Sequence, residues 1–200
     1  MAEIHVWQSR LNDAGYNAGL ADGVIGPRTA TALFSYMARG KFPGTCAALG
    51  SGLAAHGHEY GIFRSLRLAH FLGQLSHESG RFRYMQEIAS GAAYEGRRDL
   101  GNVRRGDGIR YKGRGPIQLT GRANYRTVGA RLGLPLEDDP ALAARPEIGI
   151  RIALDYWRSR SINAPADADN INRVTRLING GTNGLADRIA ETDRAKRILV

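Results

Sequence analysis

The chain has 200 residues, 42% of them apolar, with 28 basic and 19 acidic side chains, a net charge of +9 and a single cysteine, Cys46. That size holds one medium domain with at most a small appendage, and a lone cysteine excludes an intramolecular disulfide and fits synthesis in a reducing compartment. No apolar run approaches the ~18 residues of a membrane span. The N-terminus, MAEIHVWQSRLNDAGY, lacks the basic start and apolar stretch of a secretory signal, so synthesis in the cytoplasm is expected.

Residues 4–12 predict a short helix, because Ile4, Trp7 and Leu11 recur at spacings of three and four. Gly15, Gly19, Gly23 and Gly26 punctuate a loop. Pro27 then suits a first helical turn, and Ala30, Leu33, Phe34 and Met37 form one apolar stripe. Residues 1–40 thus read as a small helical module, with a linker near 38–45 and the body over 41–200. About 40 residues is marginal for folding alone, so the module is expected to lean on the body. Arg10, Arg28 and Arg39 balance Glu3, Asp13 and Asp22, which leaves the whole basic excess beyond residue 40. A basic body attracts polyanions: nucleic acid, anionic lipid or an acidic wall polymer.

In the body, a helix is expected over 46–61, ending near Gly61. The strongest helix covers 62–79, where Leu68, Phe71, Leu72 and Leu75 repeat with helical period and Gly80 supplies a stop. Residues 91–116 are rich in glycine and charge and predict loops with a short hairpin. Thr120 is placed to cap a helix running through Tyr125, Val128 and Leu132 to Gly133. Pro140 or Pro146 opens the next helix, over 147–158. NAPADADN reads as a loop, residues 170–178 as a helix stopped by Gly180-Gly181, and 185–199 as the last helix. The class is mainly α.

The chemistry concentrates in HESGRFRYMQE, residues 77–87. Glu78 falls in the last turn of an apolar helix, where the helix dipole and partial burial both disfavour an anion and suit a proton donor. Glu87 lies beyond Gly80, where the chain can turn back to face Glu78 across a groove. Glycosidases use such a pair: one protonated carboxyl for the leaving oxygen and one carboxylate. Taken alone, two glutamates at this spacing also describe solvated surface acids. YKGRGPIQLTGRANY (111–125) adds glycines for close backbone approach, with Gln118, Thr120 and Asn124 as neutral hydrogen-bonders for sugar hydroxyls or a held water. LINGGTNG (177–184) adds Asn179, equally a helix C-cap.

HESGRFRYMQE, YKGRGPIQLTGRANY and INGG…DR, in this order over about residues 65–198, resemble the family 19 glycoside hydrolases, chitinases and the phage endolysins similar to them. The resemblance implies a lysozyme-like, two-lobed helical fold and cleavage of a β-1,4 bond next to an N-acetylated sugar, with inversion and without metal or cofactor. It implies Glu78 as general acid, Glu87 as general base and Thr120 as the group that helps hold the attacking water. Tyr111, Gln118, Asn124, Asn179 and Arg188 match residues lining the sugar cleft or its charge network. His77 precedes the acid as in the family, as a substrate contact or as a packed histidine. Plant-type members carry a longer, cysteine-bearing insert between the two glutamates. The short gap here suggests a more open groove and favours peptidoglycan over chitin. LNDAGYNAGLADGVIGPRTATAL resembles the peptidoglycan-binding helical module of wall hydrolases, which would hold the enzyme on its substrate; the other reading is a helical cap on the core.

The expected activity is that of a monomeric endolysin, made in the host cytoplasm and acting on peptidoglycan glycan strands once released to the wall. A chitinase is the alternative. A cysteine-dependent wall amidase or peptidase would need Cys46 as nucleophile with His56 or His58 as base, and no orienting acid accompanies them. His56, His58, His70 and His77 match no metal-site spacing. RRGDGIRYKGR has the charge for nucleic acid without the recognition elements, so no nucleic-acid partner is expected. Arg173, Arg176, Arg188, Arg194, Lys196 and Arg197 make the C-terminus cationic, either a contact for anionic membrane lipid or a solvated helix face.

Overall fold

The structure, a computed structural model, describes residues 2–200, the side chain of Ala2 excepted. Among these residues it is built from ten α-helices: α1 (Ala2–Asp13), α2 (Pro27–Met37), α3 (Pro43–His56), α4 (Ser65–Glu78), α5 (Asp107–Arg110), α6 (Arg122–Leu132), α7 (Pro146–Ser159), α8 (Asn163–Asp167), α9 (Ile171–Asn179) and α10 (Leu185–Leu199). The only extended pairing among them is two isolated antiparallel bridges, Gln86 with Arg114 and Arg114 with Leu119. No described helix is long and apolar enough to cross a membrane. The mainly α class is as expected from the periodicity.

Two helices form the frame. α4 and α10 lie antiparallel: Gln74 meets Arg188, Ser76 meets Glu191 and His77 meets Asp187. They approach closely because Gly73 has no side chain; a Cβ there would stand 2.3 Å from Thr192 Oγ1 and 2.7 Å from its Cα and backbone N. The same device brings α3 onto α2 at Gly50 and onto α7 at Gly52. Around this frame one continuous core runs from Trp7 to Leu199, with Trp7, Phe34, Phe71, Tyr125 and Trp157 all fully buried. Residues 85–132, termed the small lobe below, supply one wall of the cleft that carries the candidate site, and α4, α7 and α9 of the large lobe supply the other.

The N-terminal helices lean on the body. Trp7 Nε1 donates to Leu199 O at 2.9 Å, Arg10 to Ile198 O, and Tyr36 OH to Arg194 O. Phe34 meets the ring of Phe82 edge-on, with centroids 5.1 Å apart. The loop between α1 and α2 is organised by Gln8, whose amide donates to Asp22, Val24 O and Thr29 and whose carbonyl accepts from Gly23 N.

Three local expectations need correction. Thr120 is not the cap of α6: Gly121 holds that position, with φ of 91°, and the Thr120 hydroxyl donates to Gln118 O instead. NAPADADN is not all loop. Residues Asn163–Asp167 close a helical turn, and Trp157 Nε1 donates to Asn163 Oδ1 from the preceding helix. Both Pro140 and Pro146 open helices, a short 3₁₀ turn over Pro140–Ala144 and then α7, so the sequence offered a choice where the chain uses both.

Candidate active site

α4 delivers Glu78 to the groove and then stops abruptly. Ser79 folds its hydroxyl back onto Leu75 O at 2.7 Å and receives Phe82 N–H at 2.9 Å. Gly80, Arg81 and Phe82 follow with φ of 58°, 60° and 65°, three successive left-handed residues, two of them not glycine. That conformation is strained for L-residues. It is held by burial of Phe82 and by Arg81, which reaches Asp187 at 2.8 Å and Glu191 at 3.0 Å on α10. The turn reverses the chain so that Glu87, nine residues on, enters the small lobe beside Gly113.

Glu78 is 19% exposed, and its Oε1 accepts from Arg188 Nη2 at 2.5 Å. Arg188 is buried beneath it, with Nη1 on Gln74 Oε1 at 2.6 Å and Nε on Asn183 O at 3.0 Å. The acid therefore stands on a cation fixed at three points, a contact that neither the helix dipole nor helix periodicity signals.

Glu87 is positioned by backbone and by one phenol. Its N–H donates to Gly113 O at 2.9 Å, Gly113 N–H donates to Oε2 at 3.0 Å, and Tyr94 OH donates to Oε1 at 3.0 Å. A Cβ at 113 would stand 2.6 Å from Gln118 Oε1 and 3.2 Å from Glu87 Oε2, so any larger residue there displaces these two side chains. Burial raises the Tyr94 pKa, and its bond to Glu87 adds to the shift, so the phenol stays a donor at neutral pH.

A cleft of about 740 Å³ runs past these groups. Glu78, Tyr156, Ser159, Arg160, Ile178 and Asn179 come from the large lobe; Tyr94, Ile117, Gln118, Thr120, Asn124 and Val128 are among those from the small one. Glu78 is the only carboxylate on its wall, and Glu87 sits behind Tyr94 and beside Gln118. Of the residues expected at the site, Glu78, Gln118, Thr120, Asn124 and Asn179 line this one cleft. Glu87 and Arg188 touch the lining side chains Tyr94 and Glu78.

Gln118 holds a φ of 55° and ties its amide to Gly115 O, fixing its acyl oxygen toward Gly113. Asn124 donates to Thr120 O at 2.7 Å, and Asn179 bonds to Asn183 O and Gly181 N. Two expected residues lie elsewhere. Tyr111 is 1% exposed and packs its hydroxyl on Glu137 O, with the Arg122 guanidinium 4.8 Å from its ring centre. His77 Nδ1 bonds to Asp187 Oδ2 at 2.7 Å, and Gly184 lies flat against its ring. Both support the site's walls and are not among its lining residues.

Sequence reasoning missed Tyr94, Tyr156 and Gln74. Tyr94 lies in a stretch without periodicity, and Tyr156 and Gln74 look like core positions of amphipathic helices. The charge network around Glu78 was equally hidden. Glu191, 1% exposed, accepts from Arg39, Arg81 and Ser76. Burial opposes its ionisation, but Arg39 and Ser76 outweigh that and hold its pKa below the usual value. Asp187 follows the same pattern: burial works against its charge, and His77 and Arg81 prevail.

Cys46 is buried with its thiol on Lys41 O, and burial pushes its pKa up to about 11, which leaves it without thiolate at neutral pH. His70 is fully buried against Asp169.

Residues 45–176 match the family model described as chitinase class I. The chain is similar to a Haemophilus influenzae protein described as a glycosyl hydrolase family 19 domain-containing protein, 28% identical over 178 residues that cover 74% of this chain and 87% of that one. An Arabidopsis thaliana endochitinase is 38% identical over 122 residues, which cover 60% of this chain and 42% of the relative; the match thus spans less than half of that protein's length. Among solved structures, chitinase C from Streptomyces griseus superposes with a TM-score of 0.68 at 25% identity, over 84% of this chain and 75% of that one.

Proposed function

The chain belongs to glycoside hydrolase family 19, and from that premise we propose that it is an endolysin that cuts β-1,4 bonds of peptidoglycan glycan strands with inversion. In this reading Glu78 protonates the bridging oxygen. Arg188, in contact with Oε1, stabilises the carboxylate that remains once the proton has left. Glu87, oriented by Tyr94 and Gly113 N–H, takes a proton from water on the opposite face of the sugar. Thr120 donates to Gln118 O and keeps its oxygen lone pairs for that water. The observation that carries the reading is Glu78 on the cleft wall, held by Arg188 and set among the amides and hydroxyls of Gln118, Thr120, Asn124 and Asn179, with Glu87 bonded to the lining residue Tyr94.

Residues 1–40 fit a wall tether as well as a cap. A groove of about 320 Å³ lies between Ala18, Leu20, Asp22, Val24 and Arg28, and Leu20 and Val24 stand 85% and 61% exposed at its edge. Exposed apolar side chains at the edge of a mostly apolar groove suit the faces of sugar rings.

Mass spectrometry of peptidoglycan digested by the enzyme tests the proposal. New reducing ends on glycan fragments are expected, without release of new amino groups; amine release without sugar cleavage would contradict it. A second reading, chitinase, is favoured by the similarity to an endochitinase. Faster turnover of chitin oligomers than of peptidoglycan would select it.

A further inference from the structure

Two arginines line the cleft, and they differ in one respect. Arg131 is neutralised by Asp155, which accepts from its Nε at 3.0 Å and its Nη2 at 2.5 Å. Arg160, at the C-terminal end of α7, makes no ion pair with any carboxylate among the described residues; those pairs engage other cations. Its guanidinium carbon instead sits 3.6 Å above the centre of the Tyr156 ring. That ring is anchored: Tyr156 OH donates to Ile178 O at 2.8 Å, and its electrostatic surroundings include both Arg160 and Glu78. The cleft wall therefore holds an exposed cation stacked on a fixed aromatic face.

A polymer of N-acetylglucosamine is neutral and offers such a cation nothing to pair with. Peptidoglycan differs by the peptide that hangs from every second sugar and carries free carboxylates. A stacked guanidinium presents a planar fork of N–H groups that matches a carboxylate in two-point contact. Stacking also limits the rotamers that binding must freeze. We propose that Arg160 selects for a carboxylate on the substrate, the free acid of a stem peptide, and so sets the preference for peptide-bearing glycan. The inference rests on the peptidoglycan reading above.

The test uses the full chain on two preparations of the same purified sacculi, one native and one with its carboxyl groups converted to amides, so that bulk is kept and charge removed. The wild type is expected to show a kcat/KM about tenfold higher on native walls, in line with one charge-assisted contact. Arg160→Gln is expected to bring that ratio close to one, and Arg160→Lys to retain part of it, since the charge remains without the fork. An Arg160→Gln ratio equal to that of the wild type overturns the inference and leaves the peptidoglycan reading standing. Chitin oligomers cleaved while both wall preparations stay intact would overturn the peptidoglycan reading and this inference with it.

Discussion

Replacing Gly73 by alanine tests the seam that sets the acid on its arginine. In an ordinary exposed helix this change stabilises by up to about 1 kcal/mol, because alanine is the better helix former. Here the new Cβ would fall 2.3 Å from Thr192 Oγ1 and 2.7 Å from two backbone atoms of α10. Restoring normal contact near ~3.5 Å requires the helices to part by about 1 Å. Two of the three nearest atoms are backbone, so no rotamer change relieves the clash, and overpacking of this kind costs about 1–3 kcal/mol or more.

With two backbone atoms in the clash the cost falls in the upper part of that range, so the net expectation after the propensity gain is a loss of about 1–2 kcal/mol. At about 2–4 °C per kcal/mol for a chain of this size, the melting temperature falls by about 2–8 °C. Glu78 lies five residues beyond Gly73 and Arg188 four before Thr192, so the same opening draws Glu78 away from Nη2. A misplacement of about 1 Å is worth up to about 100-fold in rate. Denaturant titration and kcat on soluble glycan oligomers measure both effects. A Gly73→Ala protein more stable than the wild type, with unaltered kcat, would refute the argument.

The same helix pair predicts a gain. Thr192 Oγ1 is buried without a hydrogen-bond partner, so the isosteric Thr192→Val removes an unpaired polar atom and should add about 1 kcal/mol, read by the same titration. Tyr94→Phe deletes one donor to Glu87 and should lower kcat by about 10-fold with KM little changed; a loss confined to KM would assign Tyr94 to substrate binding. Acid unfolding should respond to Arg122, which pairs with both Asp107 and Glu137. Arg122 holds the Asp107 pKa down to about 2, and Arg126, then Arg122, hold that of Glu137 down to about 2. Folded-state values below the ordinary 3.8 and 4.5 mean that this stabilisation is complete above pH 4.5 and is lost as pH falls toward about 2. Arg122→Met should flatten the decline of melting temperature across that window, and an unchanged slope would contradict the assignment. Leu20→Asp should weaken sedimentation with purified walls while turnover of soluble fragments persists; equal binding would make residues 1–40 a cap alone.

Deletion of residues 1–40 would not separate tether from cap. Trp7, Leu11, Leu33, Phe34 and Met37 are all within 1% of full burial and belong to the common core, so removing them uncovers α10 itself. The apolar stripe of α2 was visible in the sequence; its partner was not. Helical period finds a face, and only the fold says what covers it.

The same divide runs through the site. Gly80 signalled the end of α4, yet nothing in the sequence marks Arg81 and Phe82 as left-handed, because that strain is sustained by contacts with Asp187, Glu191 and Phe34, distant along the chain. Thr120 looked like a helix cap by residue type, but Gly121 takes the backbone position that the entry into α6 requires. Glu78, Gln118, Asn124 and Asn179, which line the cleft, were legible because each sits in a motif with unusual composition. Tyr111 shared such a motif and lies inside the small lobe instead, since a tyrosine serves core and cleft equally well.

The cationic C-terminus shrinks in three dimensions. Arg188 is committed to Glu78, Arg194 lies on Tyr36 with its carbonyl as acceptor, and Lys196 pairs with Asp169. Arg173, Arg176 and Arg197 remain exposed, a smaller charge than the linear sequence suggests for contact with anionic lipid.

The division of labour between the two carboxyls is tested most directly by amidating each in turn. Glu78→Gln and Glu87→Gln are compared with the wild type for release of reducing ends from sacculi, with the melting curve of each variant as a control on folding. Both variants should melt as cooperative folded proteins and lose activity by about 100-fold or more, in keeping with general acid–base catalysis. Hydrolysis within a few-fold of the wild type by either folded variant would contradict the role given to that residue.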